Sequence, residues 1–100
     1  MGMVKRFMVY EVKVDENIKP CVVISPDELN NVLPYVMVAP VTAKIRPLPY
    51  RILIEMKGRD AQIALDQIRT RPKSDFLRKL GRLPEPCQAE IMRVLHQLFE

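Results

Sequence analysis

The sequence predicts a mainly β domain: an SH3-like small barrel of five to six antiparallel strands with a C-terminal helix. Three observations carry that expectation. Five or six short stretches alternate or run apolar in the manner of strands, bounded by Pro, Gly, Asp or Asn. No helical stretch separates them in the β-α-β rhythm that a parallel sheet requires. The one long helical periodicity follows the last strand. One hundred residues, 48% of them hydrophobic, suffice for one core, so residues 3–100 are read as a single domain that gains from oligomerising.

Met1-Gly2 ahead of Met3 reads as a cloning remnant and is set aside. From Phe7 to Val14 the chain alternates, with Met8, Tyr10, Val12 and Val14 on one face: the first strand. Asp15-Glu16-Asn17 is a turn, and Lys19 to Ser25 is the second strand. Its Cys21-Val22-Val23-Ile24 is apolar on both faces, which places it at the centre of the sheet or under cover. Ser25-Pro26-Asp27-Glu28 has capping-box spacing, and Pro34 comes soon enough to confine the helix it opens to one short turn. Tyr35 to Val41 is the third strand, with Pro40 at its end or at a bulge. Thr42 to Pro49 is a loop punctuated by two prolines. Tyr50 to Met56 is the fourth strand, and Lys57-Gly58-Arg59-Asp60 connects it tightly to the fifth.

That fifth strand is read over Gln62 to Thr70, and it breaks the rule of alternation. Asp66 and Gln67 are adjacent and Arg69 follows, which puts hydrogen-bonding groups on both faces. A polar network fixing sheet register is one reading, and a functional site is the other. Pro72 stops the strand, Ser74 to Leu77 forms a helical turn, and Lys79 to Leu83 is a last short strand. A helix opened by Pro84 and Pro86 runs to about Phe99, its stripe of Cys87, Ile91, Val94, Leu95 and Leu98 facing the sheet.

Several function classes fall away. No apolar run is long enough to span a bilayer and no secretory leader is present, so a cytoplasmic protein with no membrane partner is expected. Cys21 and Cys87 have no metal-like spacing and read as core residues. His96 stands alone and builds neither a triad nor a metal site, and no glycine-rich phosphate loop occurs. No cofactor or metal is expected. The net charge of +4 suits a polyanion, and it is unevenly spread. Lys44, Arg46 and Arg51 bracket the proline loop, and Arg69, Arg71, Lys73, Arg78, Lys79 and Arg82 crowd a second region.

The motifs, in order, resemble a known family. Pro20-Cys-Val-Val-Ile-Ser-Pro-Asp-Glu28, Val38-Ala-Pro-Val-Thr42 with Lys44, Leu65-Asp-Gln-Ile-Arg-Thr70 and Lys79-Leu-Gly-Arg-Leu83 before a terminal helix are similar to the MazF/PemK toxins of bacterial toxin–antitoxin pairs. The resemblance implies a homodimeric barrel that cuts single-stranded RNA without metal and is silenced by a cognate antitoxin, touching DNA only through that antitoxin. It implies attack of a ribose 2′-hydroxyl on the adjacent phosphate, with Lys19 and Thr42 at the catalytic positions. Gln67 matches a family residue that contacts RNA, Arg69 is its basic neighbour, and Lys44 and Arg46 of the basic groove are read as RNA-binding with them. Lys19 stands where the family carries arginine, and the connection Asp15 to Ile18 is shorter than the family's loop. A second class therefore stands beside the endoribonuclease: a barrel that binds antitoxin or RNA without cutting, or acts through protein contact as CcdB-type toxins do.

Overall fold

The computed structural model describes residues 4–99; Met1 to Met3, including the set-aside start, and Glu100 lie outside the described residues. The chain runs β1 (Met8–Val14), β2 (Asn17–Val23), α1 (Asp27–Val32), β3 (Tyr35–Thr42), β4 (Arg51–Met56), β5 (Arg59–Ala64), β6 (Arg69–Pro72), β7 (Phe76–Arg82) and α2 (Glu85–Leu98). Every strand pairing is antiparallel, in the order β4-β5-β3-β2-β1-β7, with β6 also paired to β3. This is the mainly β, curled sheet with a C-terminal helix that the sequence predicts.

β3 is the hub. Its one edge pairs β2 over Val38–Pro40. Its other edge pairs β6 over Tyr35–Val38 and then β5 at Val41 and Thr42. Among the described residues seven strands appear where five or six are expected, because the stretch from Gln62 to Thr70 is not one strand. β5 ends at Ala64, Leu65–Gln67 make a single 3-10 turn, and β6 starts at Arg69. The step lets one chain serve two successive segments of the same β3 edge. It buries Leu65 and turns Asp66 and Gln67 outward, so the adjacent polar pair marks a turn.

Two smaller expectations also shift. The helical turn falls at Lys73–Asp75, and Phe76 and Leu77 already belong to β7. Ser25 does not cap α1; Pro26 holds that place with no side-chain hydrogen bond. The buried Ser25 hydroxyl instead donates to Asn30 Oδ1 and accepts from the Met37 amide at 3.1 Å. Asn30 Nδ2 returns a bond to the Ser25 carbonyl at 2.9 Å, which locks α1 onto the β2–β3 junction.

The central strands are buried on both faces, as the run from Cys21 to Ile24 requires. Tyr10, Val12, Val14, Cys21, Val23, Val36, Val38 and Phe76 pack together on one face, with the Tyr10 and Phe76 rings edge to face at 5.3 Å. On the other face Val22, Ile24, Ala39 and Val41 meet Ile52, Ala61 and Ile63 of the β4–β5 hairpin and Ile91 and Val94 of α2. Three residues, Lys73–Asp75, bridge β6 on one side of this sheet to β7 on the other, and an Arg71–Asp75 ion pair spans them. So short a bridge forces the sheet to curl.

One turn and one strand irregularity show local necessity. Lys57 and Gly58 both take positive φ (54° and 76°), the geometry of a two-residue hairpin matched to strand twist. Gly81, at φ 153°, sits beside the register shifts between β1 and β7.

Candidate active site

The site begins where two strands part. β2 and β3 are paired from Val23–Val38 to Cys21–Pro40. Beyond Pro40, β3 turns to β5, with Thr42 opposite Gln62, while Lys19 and Pro20 stay paired to β1. Pro20 has no amide to donate and stands just where pairing to β3 has ended. A cleft of about 630 Å³ opens at this parting. Lys19, Thr42, Lys44, Arg46 and Gln67 line it, with Arg51 and Asp66 on its wall.

Four of these residues, Thr42, Arg46, Arg51 and Asp66, are held by identifiable contacts. Thr42 Oγ1 accepts the Lys44 amide at 3.1 Å, which leaves its own proton free to donate. Arg46 is held through its backbone: its N–H donates to Gln62 Oε1 at 3.0 Å and its carbonyl accepts from Gln62 Nε2 at 2.9 Å. Arg51 grips Asp66 with two bonds, Nε to Oδ1 at 2.7 Å and the second nitrogen to Oδ2 at 3.2 Å. The bond from Arg51 holds the Asp66 carboxyl below the usual carboxylate range, against a weaker opposing effect of desolvation. Asp66 therefore stays anionic and offsets Arg51. Lys19, Lys44 and Arg46 have no ion-pair partner among the described residues, so the cleft is cationic.

Arg69 is the exception among the six residues singled out. It does not line the cleft; it sits on β6 opposite Val38, its guanidinium 3.6 Å from Asp15 in the β1–β2 turn. With Lys19 and Arg71 it acts on the buried Cys21 thiol, where burial outweighs all three cations and pushes the pKa up to about 11.

Arg51 and Asp66 line the cleft and Gln62 holds its loop, although sequence reasoning did not name them as site residues. The signal for Asp66 was the broken alternation. Gln62 gave none, because a glutamine in a strand reads as a solvated face, and here it is buried. Among the described residues no three His, Cys, Asp or Glu side chains gather as a metal site. His96 is exposed on α2, away from the cleft, beside a groove of about 660 Å³ that Met37, Met92, Leu95 and Phe99 also line.

No helix of the described residues is long and apolar enough to cross a membrane. Solved structures of like shape agree on the fold. An endoribonuclease from Mycobacterial species, solved in complex with its cognate antitoxin, is similar with a TM-score of 0.86 and 20% identity over 94% of this chain and 92% of that one. Mycobacterium tuberculosis toxin MazF-mt6 is similar at 0.83, with 19% identity over 92% of this chain and 95% of its own. The MazE–MazF structure (Form-II) from Deinococcus radiodurans gives 0.84, with 19% identity over 99% of this chain and 97% of the other. No curated protein sequence matches the chain significantly. The model of the PemK-like, MazF-like toxins of type II toxin–antitoxin systems matches residues 5–99, and the chain belongs to that family.

Proposed function

We propose that this toxin is a metal-independent, sequence-specific endoribonuclease acting on single-stranded RNA in the cytoplasm, and that the cleft is its active site. The observation that carries the reading is the meeting of Lys19 and Thr42 in one cleft whose other unpaired charges are cationic. A ribose 2′-oxygen attacks the adjacent phosphorus. The new O–P bond forms as the bond to the 5′-oxygen breaks, leaving a 2′,3′-cyclic phosphate. The 2′-hydroxyl loses its proton, and the departing 5′-oxygen gains one. Lys19 faces the negative charge that grows on the phosphorane, and the Thr42 hydroxyl donates to a phosphate oxygen. Lys44, Arg46 and Gln67 hold the flanking strand, with Arg69 outside the cleft as a more distant RNA contact.

The partners are set by the same charge. An acidic, extended antitoxin tail competes with RNA for the cleft, and DNA is reached only through that antitoxin. Two of the similar structures are of toxins with their antitoxins, which supports this partner. The exposed Met37, Met92 and Phe99 around the second groove support a homodimer. The test is gel cleavage of a mixed-sequence single-stranded RNA with and without chelator, followed by assay of the product ends for cyclic phosphate.

A second reading rests on a specific observation. The β1–β2 connection is a two-residue turn, Asp15-Glu16, and Lys19 lacks the planar fork of an arginine. A chain that binds RNA or antitoxin and leaves RNA intact in that assay is a binding module.

A further inference from the structure

We propose that Gln62 is a positioning residue of the cleft, fixing Arg46 beside Thr42. The inference rests on the reading of the cleft as an RNA site. Gln62 is only 6% exposed, yet it spends its whole amide on one residue of the loop between β3 and β4. Its oxygen accepts the Arg46 N–H at 3.0 Å and its nitrogen donates to the Arg46 carbonyl at 2.9 Å. Both backbone groups of Arg46 are thereby held by a side chain sixteen residues away.

The register gives this clamp its meaning. On β5, Gln62 lies directly between Leu53 of β4 and Thr42 of β3. Directly opposite residues of an antiparallel pair share a face, with Cβ atoms about 4.5–5.5 Å apart. Gln62 is thus the neighbour of Thr42 and the holder of Arg46. One side-chain length sets the spacing between the proposed phosphate-facing hydroxyl and the proposed strand-binding cation.

The loop has little else to hold it. Ala43 to Pro49 are all exposed. Its other hydrogen bonds are local, from Lys44 N–H to Thr42, from Leu48 N–H to the Arg46 carbonyl, and from Arg51 N–H to the Leu48 carbonyl. Among the described residues, the Gln62 amide is the only hydrogen-bonding group outside this local set that reaches Ala43 to Pro49.

The experiment combines one measurement on the parent with one double-mutant cycle. In the parent, hydrogen exchange at the Arg46 amide is slower than at the Ala43 amide; equal rates overturn the clamp without any variant. Gln62→Met keeps the volume and removes both bonds. It weakens single-stranded RNA binding by on the order of 10-fold and flattens the dependence of log K on log salt by about 0.7, the share of one phosphate contact on a single strand. In an Arg46→Ala background the same change costs less than about twofold, because a positioning residue acts only through what it positions. Where the RNA is cut, the loss lies in KM and kcat is little changed. A Gln62→Met protein with a lower melting temperature but the parent's salt slope, or with additive losses in the cycle, assigns the amide to folding alone and overturns the proposal. A parent that binds no single-stranded RNA at low salt overturns the reading of the cleft itself, a failure distinct from that of the clamp.

Discussion

At Lys19 the chain puts a flexible ammonium where a planar guanidinium would make two-point contact with phosphate. If the ammonium is the group facing the phosphorane, Lys19→Ala lowers the cleavage rate by roughly 10²–10³, the scale of one oxyanion-type donor. Lys19→Arg holds or raises turnover, and rates measured under single-turnover conditions check both. Thr42→Ala lowers cleavage without weakening self-association, because the hydroxyl's one hydrogen bond here is accepted from the exposed Lys44 amide and not from the core. Cys21 responds to alkali. Its thiol is fully buried and its pKa is raised from 9.0 to about 11 by desolvation, so the neutral form's contribution is complete below about 9 and lost as pH rises through about 11. Denaturant unfolding of the parent against Cys21→Ala should show the parent losing more of its stability across that window. The sequence places Lys19 and Thr42 together as two strand-end residues; both do line the cleft, but β2 already starts at Asn17, so only Thr42 ends its strand. The place of Arg69 was not, because a continuous strand from Gln62 carries it past Gln67 in one direction, and the 3-10 turn at Leu65–Gln67 redirects it.

Among the elements, the loop between β3 and β4 is held by Gln62 at Arg46, and the strand that follows it is held at its first residue, Arg51, by Asp66. The second hold depends on pH. Because the Asp66 pKa is lowered from 3.8, its stabilising effect is complete above that value and fades as pH falls through the lowered one. Asp66→Asn at neutral pH should reproduce the acid state, with faster proteolysis in residues 43–50 than in the parent. The difference between parent and variant should close in acid. The sequence showed most elements within a residue or two because alternation and turn residues are local signals. It missed the split between β5 and β6, which is decided by β3: one strand edge serves two partners in succession, and only the assembled sheet contains that information.

For the whole molecule, the exposed Met37, Met92 and Phe99 surround one groove on the α2 side, which a second copy would cover. Sedimentation should give a dimer at micromolar concentration, and a Met92→Asp change should shift it toward monomer. Reversing Lys44 and Arg46 together to glutamate should weaken RNA and antitoxin in parallel; an antitoxin affinity that stays unchanged places the tail elsewhere. The pairing of β1 with β7 has a further consequence, which concerns time. Met8 pairs with Arg82, so the first strand waits for the last one to be made. At about 5–20 residues per second, synthesis leaves the β1–β2 hairpin without its second neighbour for several seconds. Throughout that interval Tyr10, Val12 and Val14 lack the Phe76 side chain that packs with them. A nascent chain of this kind is a candidate for chaperones, and its groove residues, all translated by Gln67, acquire the complete sheet only when β7 arrives.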